Sequence, residues 1–314
     1  MKILKKIGKI ALITLISLVG VIVLALGGLN LVKFGIYSDY YKIKTNVCIN
    51  PGLGDNFVCQ GIAASEENEV IFVCGYMKDD TNSRIYVTNE KNESYYVNLV
   101  KNGKKFTGHA GGMATTNDKV YIANGGRIYI VDINDILNAS KGDEVEIGEG
   151  IKVSVAASFV YTDEEYLYVG EFHNGAAYNI EGHENETKEG THYAITLKYD
   201  LDDLTKPIKA YSIRNKVQGI CFTPDGKVVM STSYGLADSI YYVYNESEAS
   251  NANKEFEGAP LYYLDTLVNE IHGPAMSEDL DYYNGKVITL TESASNKYIF
   301  GKFFFANKII ALEI

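Results

Sequence analysis

Residues 216–235 read KVQGICFTPDGKVVMSTSYG, and residues 58–76 read VCQGIAASEENEVIFVCGY. Each places Gln-Gly-Ile ahead of a polar turn and then an alternating apolar run. Aligned on that phrase, three more copies emerge: HAGGMATTNDKVYIANGGRIYIVDI from His109, AASFVYTDEEYLYVGEFH from Ala156 and MSEDLDYYNGKVITLTESAS from Met276. The anchoring apolar residues are Ile62, Met113, Phe159, Ile220 and Leu280, spaced by 51, 46, 61 and 60 residues, and the alternating runs begin at Val70, Val120, Tyr166, Val228 and Val287.

A unit of several short alternating strands recurring every 40 to 60 residues or so is how a β-propeller blade reads in sequence. Five copies predict an all-β, five-bladed propeller over residues 37–314. Blade one offers FVCQGIA, EVIFVCGY, SRIYVTN and SYYVNLV, and blade four repeats the plan with VQGICFT, KVVMSTS, SIYYVYN and PLYYLD. The turns SEEN, TTND, TDEE and TPDG have hairpin chemistry. The fifth copy reaches the C-terminus one strand short, so YYKIKTNV at residues 40–47 is expected to close the ring and remove its open edge. Composition agrees: 25 Tyr, 29 Gly and no Trp, with no sustained 3.6-residue period after Lys33.

Residues 1–36 are different in kind. Residues 10–32 carry no charge, and at a rise of about 1.5 Å per residue they are long enough for a hydrocarbon core of roughly 30 Å. Lys2, Lys5, Lys6 and Lys9 precede the run, which by the positive-inside rule leaves the N-terminus cytoplasmic and the propeller outside, as a single-pass protein of the cell membrane. The alternative is a cleavable signal peptide with Ala25 and Gly27 at its cleavage site; the apolar run is longer than such peptides use. Five of the 29 basic residues lie in this segment, so residues 37–314 set 24 basic against 40 acidic side chains, a net of −16. That balance excludes nucleic acid as a partner.

In a propeller, the loop leading into each innermost strand and the loop leaving the second strand share one face and converge on the axis. The first set supplies Gln60, His109, Gln218, His272 and Glu278; the second supplies Tyr76, Asn124, Glu171, His173, Ser233, Tyr234, Glu292 and Ser293. Three of the five histidines map to this rim, which makes it the expected ligand site for a small molecule or peptide, with Gln60, His109, Gln218, His272, Glu171, His173, Tyr234 and Glu292 as binding residues. A general acid or base drawn from Glu278, Glu171 or Glu292, with His109 beside it, is the enzymatic alternative, and Glu278 is its first candidate. Three histidines and several carboxylates have donor chemistry for Zn²⁺, yet no HxH or HExxH spacing exists, so neither metal nor cofactor is expected. In a third reading the rim only satisfies backbone groups and the outer loops form a protein-interaction scaffold.

Other stretches have plainer readings. DINDIL at 132–137 lacks the glycine and terminal glutamate of a calcium loop and reads as a turn. EGHENETKEGTH at 181–192 reads as a mobile polar insertion of blade three. Sequons stand at Asn92, Asn138, Asn185 and Asn245; the Lys, Ile, Asn and Tyr bias is bacterial in character, and chance sequons are then expected. Cys48, Cys59, Cys74 and Cys221 are even in number. With a tight turn at Glu66 and Glu67, Cys59 and Cys74 fall opposite one another, so a cross-strand disulfide and a pair of free core thiols are both open.

The repeats resemble exported bacterial propellers of the group that includes glutaminyl cyclotransferases, strictosidine-synthase-like proteins and SMP30 lactonases. FVCQGIA, repeated as VQGICF, is similar to the FTQGL-type phrase of the five-bladed glutaminyl cyclotransferases. That resemblance implies export, metal-independent chemistry and a glutamate that transfers protons, for which Glu278 is the matching position. Two departures stand out: the absence of Trp removes the usual aromatic pocket, and GGM after His109 and STSYG at 231–235 look closer to exported propellers without assigned activity.

Overall fold

Each copy of the repeat folds as a hairpin whose turn chemistry is local. In TPDG, Gly226 takes φ +84 and donates its N–H to the Thr223 carbonyl at 2.9 Å, while the Thr223 hydroxyl bonds the Asp225 carboxylate. The computed structural model describes residues 2–175 and 177–314. The hairpins assemble into five blades around one axis. The innermost strands are Phe57–Ser65, Gly112–Thr115, Phe159–Thr162, Val217–Phe222 and Ser277–Tyr283. Each packs against the next, and the fifth returns to the first.

Ring closure is by an N-terminal strand, as expected, but with a later boundary. Lys44–Ile49 pairs antiparallel with Lys308–Leu312 as the outer strand of blade five, while Ser38–Ile43 is a short helix. A second difference concerns blade four. Its outer strand is Leu267–Gly273, whereas Ala259–Tyr263, which includes most of PLYYLD, adds in parallel to the edge of blade three at Asp203–Ile213. Leu267–Gly273 has most of its side chains in solvent, so no apolar alternation betrays it. The insertion 181–192 is ordered as a hairpin of Asn185–Thr187 with Gly190–His192, its base fixed by His183 on Glu171 at 2.8 Å.

The recurrence of Gln-Gly-Ile has a packing cause. A Cβ on Gly61 would lie 2.7 Å from the backbone of Gly112 and Met113, one on Gly112 would lie 2.5 Å from Phe159 Cα, and one on Gly219 would lie 2.6 Å from Asp279 Cα and Leu280 N. Glycine is therefore what lets adjacent inner strands approach at backbone distance in a ring this small. Just ahead of it a β-bulge leaves Gln60 unpaired between Cys59 and Gly61, and another leaves Gln218 unpaired between Val217 and Gly219.

The first bulge also corrects the cysteine geometry. Cys59 faces Gly75 and Cys74 faces Gly61, so the two thiols are not cross-strand partners. All four cysteines are free and buried. Burial raises the Cys59 and Cys74 thiols far above their ordinary range and Cys48 to about 11.

Between blades the core is apolar with tyrosine in the role of the large ring. Tyr168, Tyr199, Tyr211, Tyr241 and Tyr244 are fully buried. Several of their hydroxyls find partners at the edge, such as Tyr168 on Asp163 at 2.8 Å and Tyr244 on Glu189 at 2.8 Å. The N-terminal helix Lys2–Ile36 contains the apolar stretch Lys5–Ala25, long and apolar enough to cross a membrane. Only Tyr37 separates it from Ser38–Ile43, and the Tyr37 hydroxyl donates to Asp238 at 2.7 Å.

Candidate functional site

The mouth is built by an irregularity repeated around the ring. The residue leading into the inner strand is non-glycine with positive φ in four blades: Ala110 (49), Ala157 (48), Lys216 (65) and Met276 (66). Left-handed backbone of this kind is held only where surrounding structure over-determines it, and it is common at binding sites. In blade five the irregularity is larger, because both Glu278 and Asp279 fall in the register break between Ser277 and Leu280.

Those two acids divide the work. Asp279 turns across the axis and accepts from Met113 N at 3.0 Å and Ile62 N at 3.4 Å; Asp281, one pleat further, accepts from Ala64 N at 2.7 Å. They pin blade five to blades one and two. Burial pushes the Asp279 carboxyl well above its ordinary range and Asp281 to about 7. Glu278 points the other way, lining a cavity of about 600 Å³ at the mouth. Its side chain is buried, yet no hydrogen-bond partner for it exists among the described residues.

One wall of the cavity is charged. Gln60 donates to Glu292 at 3.0 Å, the Lys297 ammonium bonds the Tyr76 hydroxyl and lies 4.8 Å from the centre of its ring, and Tyr298 stands close to Glu292 and Tyr76. His109 also lies against Tyr76, with ring centres 4.5 Å apart and the planes tilted by 34°. Burial, then the nearby Glu292 charge, drives the Glu278 carboxyl well up; burial raises Glu292 to about 7 against the opposing pull of Tyr298, Lys297 and Gln60. Both carboxyls are thus held toward the protonated form relative to an exposed glutamate. Desolvation in the mouth and then Lys297 lower the His109 imidazole. Its outer edge stays open to water, and the ring is a neutral base.

The opposite wall is aromatic without tryptophan. Phe172 meets Tyr178 edge-on at 5.3 Å and Tyr234 at 6.3 Å, and Gln218 donates to the Ser233 hydroxyl at 3.4 Å.

Of the residues drawn from sequence, the structure gathers Gln60, His109, Gln218, Tyr234, Glu278 and Glu292 around the cavity, with Tyr76, Asn124 and Ser233. Four stand apart from it, among them the buried Ser293, whose hydroxyl bonds that of Thr291 at 3.1 Å. Glu171 is a buried pin in blade three, accepting from Ala156 N at 3.2 Å and Ile195 N at 3.1 Å. His173 stacks on Tyr193 at 4.8 Å and accepts from Ile180 N at 3.1 Å. His272 is 44% exposed on the outer strand of blade four, paired with Asp238 and Glu270. The three rim histidines therefore do not converge, because the loop after Gly170 folds back on blade three and His272 ends an outer strand. Among the described residues no three His, Cys, Asp or Glu side chains gather as metal ligands do. Sequence reasoning missed Lys297, Tyr298 and Phe172; the first two lie four or more residues beyond the strand end at Thr291, in a loop without periodicity.

No known protein family and no curated protein matches this chain in sequence. Solved structures that it resembles include the hydrazine synthase of Kuenenia stuttgartiensis (13% identity, TM-score 0.40), over 74% of this chain and 55% of that one. The chain thus spans little more than half of that protein. The PQQ-bound aldose sugar dehydrogenase of Streptomyces coelicolor is similar at 13% identity and TM-score 0.47, over 79% of this chain and 77% of that one. An oxidoreductase of Thermus thermophilus, described as a glucose dehydrogenase, is similar at 9% identity and TM-score 0.45, over 86% and 99%. The likeness to all three is one of propeller architecture alone.

Proposed function

We propose that this protein is a membrane-anchored, extracytoplasmic propeller that binds a small molecule or a peptide end at its central mouth, with Glu278 as the recognising group. The observation that carries the reading is Glu278 itself, 3% exposed, on the cavity wall and without a hydrogen-bond partner among the described residues. The Glu278 carboxyl makes no hydrogen bond among the described residues and faces the cavity, so a ligand oxygen accepting from its protonated form would give it a partner. The Lys297 ammonium and the wall of Phe172, Tyr178 and Tyr234 favour a ligand with a carbonyl or carboxylate at one end and an apolar body at the other. Anchoring by residues 10–32 rests on their length, the four lysines ahead of them, and the close splice of the helix to the propeller at Tyr37.

The unequal pair Glu278 and Glu292 favours a second, enzymatic reading along the lines of a glutaminyl cyclotransferase or a lactonase-type hydrolase. In cyclisation of an N-terminal glutamine, the α-amine attacks the side-chain amide carbon, the amine's proton passes to the Glu292 carboxylate, and ammonia leaves with the proton of Glu278. A short glutaminyl peptide and its pyroglutamyl counterpart are the probes. Saturation with either should raise the Tm of the full-length wild type and leave that of Glu278→Leu unmoved. Release of ammonia from the glutaminyl peptide, abolished in Glu278→Gln while its Tm shift persists, would establish the enzyme. If neither peptide nor a panel of small carboxylates shifts the wild-type Tm, the mouth is not a ligand site and the scaffold reading stands.

A further inference from the structure

The most apolar exposed surface of the propeller lies in the loop that joins the second and third strands of blade five. Ile299 is 74% and Phe300 69% exposed, with Phe303 and Phe305 also open to solvent. This loop belongs to the mouth face, because it leaves the second strand at the same end where the innermost strands begin. Leu236, 52% exposed, occupies the equivalent loop of blade four.

Four apolar side chains held outward need a partner, and the neighbouring chain segment identifies it. Lys33, near the end of the apolar helix, donates from Nζ to the Phe304 carbonyl at 2.9 Å and sits 5.1 Å from the Phe305 ring centre. Phe34 lies against Tyr41 at 4.4 Å, and Tyr37 is tied to Asp238 in the loop carrying Leu236. The helix therefore leaves the propeller from the mouth face, beside these loops, with one residue between it and the next element. A helix spanning a bilayer ends at the headgroup layer, and so short a splice holds the mouth face there.

Charge points the same way. Residues 293–308 hold Lys297, Lys302 and Lys308 and no acid, on a body that is otherwise strongly acidic. Apolar side chains flanked by lysines are the composition of an interfacial anchor on anionic lipid.

We infer that loop 299–305 is a second membrane contact, so that the cavity opens onto the headgroup layer of a phospholipid bilayer rather than onto bulk solvent. Lys297 and Tyr298, directly ahead of it in the same connection, line the cavity; one segment thus touches both lipid and ligand, and a ligand reaches Glu278 from the membrane side. This inference rests on the retained anchor proposed above and does not require any particular ligand.

The chain has no Trp, so a single introduced tryptophan is an unambiguous reporter. Phe300→Trp and Phe303→Trp, each in the full chain, are reconstituted into phosphatidylcholine–phosphatidylglycerol vesicles with or without brominated acyl chains. Glu67→Trp, in the turn at the opposite end of blade one, is the control. Bromolipid should quench both loop reporters ~twofold or more, the depth effect expected of side chains at the acyl boundary, and leave the control unchanged. Quenching of the loop reporters no greater than that of the control, in protein that stays with the vesicles through an alkaline wash, overturns the inference and leaves the anchor intact. Extraction of the intact full chain from the vesicles by the alkaline wash overturns the anchor itself.

Discussion

Gln60 and Glu292 are 232 residues apart in the chain and 3.0 Å apart in the fold, joined by a hydrogen bond from the amide of one to the carboxyl of the other. The bond exists because a bulge frees Gln60 from its ladder, and because the fifth blade closes on the first. It also holds the Glu292 carboxyl toward its charged form. Gln60→Leu should therefore move the Glu292 titration upward from about 7, seen by carbon NMR of labelled glutamate; a downward shift or none would show that the bond does not form in solution.

The acids on the axis have folded pKa values above their unfolded ones, which lie at roughly 4. Such groups contribute stability that is complete below the unfolded value and is lost as pH rises through the folded one. For Asp281 the loss falls between about pH 4 and about 7, at up to about 1.4 kcal/mol per pH unit. Asp281→Asn still offers an acceptor to Ala64 N. Urea unfolding at pH 5 and pH 8 should show the wild type losing more stability across that interval than the variant; equal losses contradict the assignment.

The ligand role proposed for Glu278 has a consequence for stability. Glu278→Leu should raise the Tm of the apo protein or leave it unchanged, because it removes an unpaired buried carboxyl. A fall of several degrees in calorimetry would mean that Glu278 is a structural pin like Asp279, and the ligand argument would fail with it.

At Gly61 a methyl group meets backbone on the neighbouring blade. Gly61→Ala should cost about 1–3 kcal/mol or more in chemical unfolding, whereas Gly54→Ala, with nothing within 4 Å of its Cβ position, should be close to neutral. Equal behaviour of the two would dismiss close strand approach as the reason for glycine in the repeat.

The thiols supply a further check. In the native protein none of Cys48, Cys59, Cys74 and Cys221 should react with a thiol reagent, and all of them should react after denaturation without prior reduction. A reduction step that exposes two more thiols would restore the Cys59–Cys74 bridge.

The fold was legible because a small ring makes the same demand on every inner strand. It needs an apolar anchor, often a glycine beside it, and a polar turn before a second strand that starts seven or eight residues on. What stayed hidden depended on geometry that periodicity does not encode. The bulge at Gln60 displaced Cys59 from Cys74. The outer strand Leu267–Gly273 is mostly solvated on both faces and leaves no alternating trace. His173 sits where convergence was expected, but its side chain is taken up by Tyr193. Lys297 and Tyr298 complete the charged wall from a loop with no pattern at all, and only their distance from Glu292 and Tyr76 reveals them.

The pairing of Thr45 with Ala311 has a consequence for how the protein is made. A ribosome releases the segment Lys44–Ile49 long before it finishes Lys308–Leu312, so the first strand to emerge waits, unpartnered, for the last. A chain that lacks Lys308–Leu312 leaves blade five open. A ring sealed by these two strands thus keeps a raw strand edge until the later of them has been synthesised.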